Sequence, residues 1–334
     1  MINSSETSNK HYIVVTYKAG EPRRAQIREY FGPETEVSFL TDMPPGLRQQ
    51  TLIKAEALLA WNLRKELGPS EFKLLKNVRM IQLLSAGADS VPYADVPLDI
   101  VVASNVGAYA EPMAEHVLAM TLALAKNLFR EHRNLMRGEF NQSLLNRKLH
   151  GSICGILGFG GIGRATARLM RGLGIRIYAV NTSGRTDEPV EFVGTLDSLR
   201  RVLSVSDVLV ISLPLMKSTR GLIGKQELEW MKPNTILVNV ARGEIIDEAA
   251  LYAHLVTNPD FSAGIDAWWT EPFSHGEFHT SYPLLELPNL IGSPHNAAMV
   301  PGITDETTIR AVENVKRFLD NKPVIGVVRR EDYV

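Results

Sequence analysis

Apolar residues along this chain fall into short runs rich in Val, Ile and Leu, and between the runs lie polar stretches of helical composition. Residues 11–17, 37–40, 55–61, 80–84 and 101–103 are such runs, of strand length and bounded by turn formers. Residues 22–31 and 70–76 read as helices between them. Strands that alternate with helices predict parallel pairing and a doubly wound sheet, because a parallel strand needs a crossover to bring the chain back to the same edge. The first hundred or so residues are therefore expected to form a small α/β domain, of about the usual domain size. Residues 111–140 interrupt the rhythm with a long stretch of helix formers, Pro112 standing where a first helical turn tolerates it. Beyond it the alternation resumes, with strands over 207–214, 235–240, 262–266 and 290–293 and helices over 225–231 and 248–254. A last helix over 304–321 leads into 324–328. The polar residues 1–10 read as a disordered tail, and no internal repeat of solenoid length is present.

The most informative stretch is residues 150–182. An apolar run at 153–157 ends in Gly158, Gly160 and Gly163, a stretch rich in Ala, Leu and Arg follows, and a second apolar run closes the unit. This is strand, glycine turn, helix, strand. A first glycine permits the tight turn, a second lets backbone approach a pyrophosphate, and a third lets the helix pack close to the strand. The helix that starts there offers free N–H groups and a positive dipole end to phosphates. Glycine turns also serve plain packing, but the strand and helix context favours a dinucleotide site.

With 334 residues, 45% hydrophobic and 22% charged, the composition is that of an ordinary globular protein with room for two domains. A formal net charge of −1 without a long basic run gives no sign of nucleic acid or an anionic membrane as a partner. Cys154 is the only cysteine and lies inside an apolar run, so it is expected to be buried, with no disulfide and no cysteine metal site. The polar N-terminus and the charged residues within 114–128 lead to the expectation of a cytoplasmic, non-membrane protein.

Ligands of open α/β sheets bind beyond the carboxyl ends of the strands. Three such ends carry reactive side chains: Arg242 in Asn239-Val-Ala-Arg242-Gly, Glu271 in Asp266-Ala-Trp-Trp-Thr-Glu271-Pro, and His295 in Ser293-Pro-His295-Asn-Ala. Arginine can clamp a carboxylate in two places, histidine can exchange a proton near neutrality, and a carboxylate beside it favours the imidazolium. Each of these residues taken singly could be an ordinary surface group. Their joint position at successive strand ends points to catalysis.

In these motifs the chain resembles the D-isomer-specific 2-hydroxyacid dehydrogenase family. The resemblance rests on Ser85-Ala-Gly87-Ala-Asp89, Glu111-Pro-Met-Ala-Glu-His116, Gly158 to Gly163, Leu213-Pro-Leu, Val238-Asn-Val-Ala-Arg242-Gly, Trp268-Trp-Thr-Glu271-Pro and Ser293-Pro-His295, in the family's order. It implies a Rossmann-type dinucleotide-binding domain, residues 105–299, inserted into a smaller flavodoxin-like α/β substrate domain made of residues 1–104 and 300–334, with a cleft between them and a homodimer joined through the nucleotide domains. It further implies that Arg242 holds the carboxylate and keto oxygen of a small 2-keto acid of the glyoxylate or hydroxypyruvate kind. His295 then donates a proton to the carbonyl oxygen as hydride arrives from NAD(P)H, and Glu271 keeps that histidine protonated. Backbone N–H groups around Ala86 and Gly87 grip the substrate carboxylate, and Asp266 anchors the nicotinamide carboxamide. The cofactor set implied in this way also takes in Gly161 and Ile162 in the glycine turn, Leu213 and Pro214 on the adenosine side, Val240 and Ala241 nearer the nicotinamide, and Ala297. His116 is taken as a structural histidine, and Trp61, Asn62 and Arg64 as candidates to touch the substrate.

The chain departs from the family's pattern in several places. Phe140 stands where many members carry Trp, and the segment 273–285 is long. Its His275 and His279 suggest a metal, but no third ligand is placed nearby, so they are expected on a surface loop. The end at Val334 leads to the expectation that the regulatory extension of longer phosphoglycerate dehydrogenases is lacking. A nucleotide-sensing co-repressor remains an alternative, since one fold serves several functions. Glutamine in place of Glu271 would point to a formate dehydrogenase. The acidic residue that usually binds the ribose 2′-OH is replaced by Asn181, 18 positions after Gly163, so the charge that would repel a 2′-phosphate is gone. Thr182, Ser183 and Arg185 follow as possible phosphate partners. NADP is therefore expected over NAD.

Overall fold

The computed structural model describes residues 10–334; the first residues of the tail expected to be disordered lie outside that range. The chain forms two compact units, one made of the residues up to Ala108 together with Pro301–Val334, the other of Tyr109–Val300.

In the first unit the strands are β1 (His11–Val15), β2 (Thr35–Phe39), β3 (Ala57–Ala60), β4 (Met80–Leu83) and β5 (Val101–Ala103). They pair in parallel in the order β2-β1-β3-β4-β5, the flavodoxin-like order. Successive side chains of β1 serve opposite faces. Ile13 and Val15 pack with Ile27 and Phe31 of the helix Glu21–Phe31 and with Ala311, Val312 and Val315 of the helix Ile303–Leu319. Val14 packs on the other side with Leu52, Leu58 and Ile81. Burial on both faces is why β3 reads as an unbroken apolar run and why β1 and β4 are largely apolar. The end of the chain is tied to this sheet through polar groups. The buried Asn314 amide donates to Gln82 Oε1 (2.6 Å) and to the Ile325 carbonyl (2.8 Å), and Val328 N–H donates to the Val102 carbonyl (2.8 Å).

The second unit holds β6 (Ile153–Leu157), β7 (Arg176–Val180), β8 (Phe192–Gly194), β9 (Val208–Ile211), β10 (Ile236–Asn239), β11 (Ser262–Ile265) and β12 (Leu290–Gly292). All pairs are parallel in the order β12-β11-β10-β9-β6-β7-β8, a Rossmann sheet whose order reverses between β6 and β9. Cys154 is fully buried in β6, and burial pushes its thiol far above the ordinary range.

Two expectations are corrected. The stretch 111–140 is not one helix but two, Ala110–Ala125 and Leu128–Met136, because Asn127 adopts a left-handed backbone (φ 52°) that ends the first. The helix expected over 70–76 is a single 3-10 turn, Glu71–Leu74, too short and too little covered to extend. The helices Pro45–Lys54 and Leu199–Val205 and the edge strand β8 were not anticipated. Pro45–Lys54 buries only Thr51 and Leu52, and the residues of β8 are half-buried, so neither leaves a strong periodic signal. Among the described residues no helix is long and apolar enough to cross a membrane.

Candidate active site

The turn after β6 has the geometry that a pyrophosphate site requires. Gly158 has φ +97°, and a Cβ there would lie 2.6–2.7 Å from the backbone of Ser212 and Leu213. At Gly163, inside the helix Gly161–Gly172, a Cβ would lie 2.3 Å from the Gly158 carbonyl, so helix and turn touch backbone to backbone. A Cβ on Gly160 would meet nothing within 4 Å, which leaves open space over the start of the helix. The first N–H groups of a helix have no intrahelical partner. Gly160, Gly161 and Ile162 thus place donors at the uncovered start of the helix, with Gly163 packed beneath them, and the turn fits a dinucleotide phosphate.

Beyond β7 the Asn181 side chain is spent on its own turn. Its Oδ1 accepts from the N–H groups of Ser183 (3.1 Å) and Gly184 (2.7 Å), and its Nδ2 donates to the Arg185 carbonyl (2.8 Å). Thr182, Ser183 and Arg185 stand exposed on that turn. Beyond β9, Leu213 is buried and Pro214 is exposed.

Three neighbouring strands deliver the titratable groups. After β10, the buried Asn239 accepts from Ala241 N–H (3.0 Å) and donates to the Arg242 carbonyl (2.9 Å), which folds Val240 and Ala241 into a tight bend before Arg242. Gly243 follows so close to the backbone of Trp268 and Trp269 that a Cβ would lie within 2.3–2.6 Å of it, and this locks the end of β10 to that of β11. After β11, Glu271 accepts from Trp268 N–H (2.7 Å). His295 Nδ1 lies 2.7 and 2.8 Å from the two Glu271 oxygens. Burial alone would raise the Glu271 carboxyl, but the hydrogen bond and charge of His295, the Trp268 N–H and the nearby Arg242 together hold it below the ordinary carboxylate range. With Nδ1 bonded to Glu271, the other ring nitrogen of His295 is left to face a reactant. His295 is only partly covered, its side chain 35% exposed against 12% for Glu271.

Asp266, at the end of β11, is fully buried. Its Oδ1 accepts from Ser293 Oγ (2.5 Å) and Asn296 N–H (3.1 Å), and its Oδ2 accepts from Ala297 N–H (3.2 Å). His116 Nε2 lies 2.9 Å from Ser293 Oγ.

Residues 118–297 match the profile of the D-isomer specific 2-hydroxyacid dehydrogenase, NAD binding domain. The chain belongs to the D-isomer specific 2-hydroxyacid dehydrogenase family. It is 32% identical to a hydroxypyruvate reductase of Thermotoga maritima over 247 residues, 73% of this chain and 78% of that one. Over 317 residues it is 28% identical to a glycerate dehydrogenase of Methylorubrum extorquens, 92% of this chain and 97% of that one. In fold it resembles the family member of Xanthobacter autotrophicus Py2 solved with NADPH and MES, with a TM-score of 0.80, 24% identity and coverage of 97% and 100% of the two chains.

In this dehydrogenase chain the candidate site residues of the second unit converge on the carboxyl edge of one sheet, with Arg242, Glu271 and His295 following the adjacent strands β10, β11 and β12. Ala86 and Gly87 belong to the first unit, half-buried on the turn after β4, where Ser85 Oγ donates to the Gly87 carbonyl (2.7 Å). Also in the first unit, the N–H groups of Trp61 and Asn62 are taken by Glu66, and Arg64 Nε donates to the Ser90 carbonyl (3.2 Å). His275 and His279 are exposed, and His275 Nδ1 accepts from Glu271 N–H (3.1 Å). Sequence reasoning took His116 as structural and gave Asn239 and Ser293 no role of their own. Asn239 had left a signal, as a polar residue at the buried end of an apolar run.

Proposed function

We propose that this dehydrogenase reduces a small 2-keto acid of the glyoxylate or hydroxypyruvate kind to the D-2-hydroxy acid, and that it prefers NADPH to NADH. The observation that carries the reading is the His295–Glu271 pair beside Arg242, on the same sheet edge as the glycine turn. When bound, a nicotinamide dinucleotide supplies the hydride. The chain's own residues do the rest. Arg242 presents a fixed positive fork to the substrate carboxylate and keto oxygen. His295 gives a proton from its outward nitrogen to that oxygen. Glu271, held ionised, orients the ring through Nδ1 and stabilises its positive charge before transfer. Asp266 offers a buried acceptor to the carboxamide, Val240 and Ala241 line the nicotinamide side with Ala297, and Leu213 and Pro214 line the adenosine side. The relatives named hydroxypyruvate reductase and glycerate dehydrogenase support the substrate class.

The cofactor preference rests on the turn after β7. Asn181 brings no charge, and its amide organises a turn that displays Thr182, Ser183 and Arg185 to solvent. A 2′-phosphate meets donors and a cation there and no carboxylate at the second strand's end. The NADPH in the Xanthobacter relative is consistent with this. The assembly we assign is a homodimer. The helix Leu128–Met136 buries none of its residues, yet Leu128, Phe129, Leu135 and Met136 are each more than half exposed and recur at helical spacing on one face. A second copy of the chain would cover them.

The test is nicotinamide absorbance with glyoxylate, hydroxypyruvate, pyruvate and bulkier keto acids, each with NADPH and NADH. We expect turnover with the two smallest hydroxylated or unsubstituted acids and a higher kcat/KM with NADPH. No turnover with any acid would overturn the enzymatic reading, and a clear advantage for NADH would overturn the cofactor assignment.

A further inference from the structure

We infer that His116 and Ser293 are positioning residues for His295: together they hold the buried Asp266 carboxylate, and that carboxylate holds the backbone turn that presents His295. The inference rests on the proposed role of His295 as proton donor.

His295 is a non-glycine residue with φ +50°. A side chain in the left-handed region persists only where its surroundings fix it. Here one residue takes three of the hydrogen bonds that fix it. The Asp266 carbonyl accepts from His295 N–H (2.9 Å), Asp266 Oδ1 accepts from Asn296 N–H (3.1 Å), and Oδ2 accepts from Ala297 N–H (3.2 Å). Three successive N–H groups of the turn are thus pinned to Asp266.

The carboxylate in turn needs support, because a fully buried anion is tolerated only when hydrogen-bonded. Ser293 supplies its single hydroxyl proton to Oδ1 at 2.5 Å. That commits the proton, so the 2.9 Å contact between Ser293 Oγ and His116 Nε2 must run the other way, with Nε2 carrying a hydrogen and donating it. The same nitrogen lies 3.8 Å from Asp266 Oδ1. A directed chain results, from His116 Nε2–H to Ser293 Oγ–H to the Asp266 carboxylate. It joins the helix Ala110–Ala125 to the loop after β12. Without His116 the Ser293 hydroxyl is free to rotate away, Asp266 loses a donor, and the turn that aims His295 at Glu271 relaxes.

Two truncations and two conservative variants test this. Ser293→Ala and His116→Leu break the chain. Ser293→Thr keeps the hydroxyl, and His116→Gln keeps an N–H near the position of Nε2. We expect the truncations to lower kcat with NADPH and glyoxylate or hydroxypyruvate about 10- to 100-fold, as misplacement of a reacting group does, with little change in keto acid KM. The conservative variants should recover most of the loss. A second readout needs no turnover: the His295 imidazole nitrogens in long-range ¹H–¹⁵N spectra, assigned with His295→Ala, should move in the truncations and stay in place in the conservative pair. Parental kcat together with unmoved His295 resonances in both truncations overturns the inference, even if their thermal midpoints fall. So does an equal loss in the conservative pair. If the parent reduces no keto acid, the proposed function fails by itself, and the His295 resonances alone decide on positioning.

Discussion

The His295 imidazole lies within hydrogen-bonding distance of both Glu271 oxygens, and this fixes what single substitutions should do. His295→Ala should cost roughly 10²–10⁴ in turnover, the usual effect of losing a general acid, while titration by fluorescence finds dinucleotide affinity nearly unchanged. Arg242→Ala should raise keto acid KM steeply as well as lower kcat, because it removes a charged clamp. An unaltered KM would place the carboxylate elsewhere. With Glu271→Gln the imidazolium loses its counter-charge, so the alkaline limb of the activity profile should move to lower pH. A profile superimposable on the parent's would rule out the pairing.

Away from the site, His254 packs edge-on against Phe261 with a buried, unbonded Nε2, and burial lowers its pKa below 6.5. Because the folded state holds this group neutral, the stability it contributes is complete above pH 6.5 and is lost as pH falls from there toward the folded value. Urea midpoints of His254→Leu should show less of that acid-side decline than the parent. The catalytic candidates were legible in the sequence because each follows an apolar run directly. The His116 contact was not, since its partner Ser293 is 177 residues away and nothing local to either marks the pairing.

Among the elements, the strands were the easiest to read. Those buried on both faces keep apolar side chains at most positions, and β1, β3, β4, β6, β9, β10 and β11 all appear as runs, interrupted at few places such as Gln82 in β4 and Asn239 in β10. The helix boundary at Asn127 escaped notice because composition alone does not reveal a left-handed residue, and helix formers continue on both sides. Asn is among the few side chains that tolerate this conformation, and Asn127 Nδ2 also reaches Asn146 Oδ1 (3.3 Å). Asn127→Val should therefore destabilise the chain by about 1–2 kcal/mol, and Asn127→Gly much less, as read from thermal midpoints. Gly163→Ala would press a methyl against the Gly158 carbonyl and should weaken dinucleotide binding more than it lowers the midpoint, because the displaced turn is the one that faces the phosphates.

For the whole molecule, the family and the two α/β units could be anticipated from motif order and the alternation of runs. The sequence offers the proposed homodimer only as an implication of the family, because an exposed apolar face is known as such only once the chain has folded around it. Leu135→Glu together with Met136→Glu should convert a dimer of about twice 37.0 kDa to monomer in light scattering without lowering helix content. A parent that is already monomeric would remove the assignment.

The first unit takes part of its core from the end of the chain, with Ala311, Val312 and Val315 covering Ile13, Val15 and Met80. On a ribosome, β1 emerges early and then waits for that cover while all of Tyr109–Val300 is made. The second unit can close during that interval because its strands are contiguous in synthesis. Residues of β1, made before all of Tyr109–Val300, are therefore shielded from water only after it. Pulse-labelled amides on β1 should gain protection only after Ile303–Leu319 has left the exit tunnel, and the interval before then is when a chaperone would find its binding site.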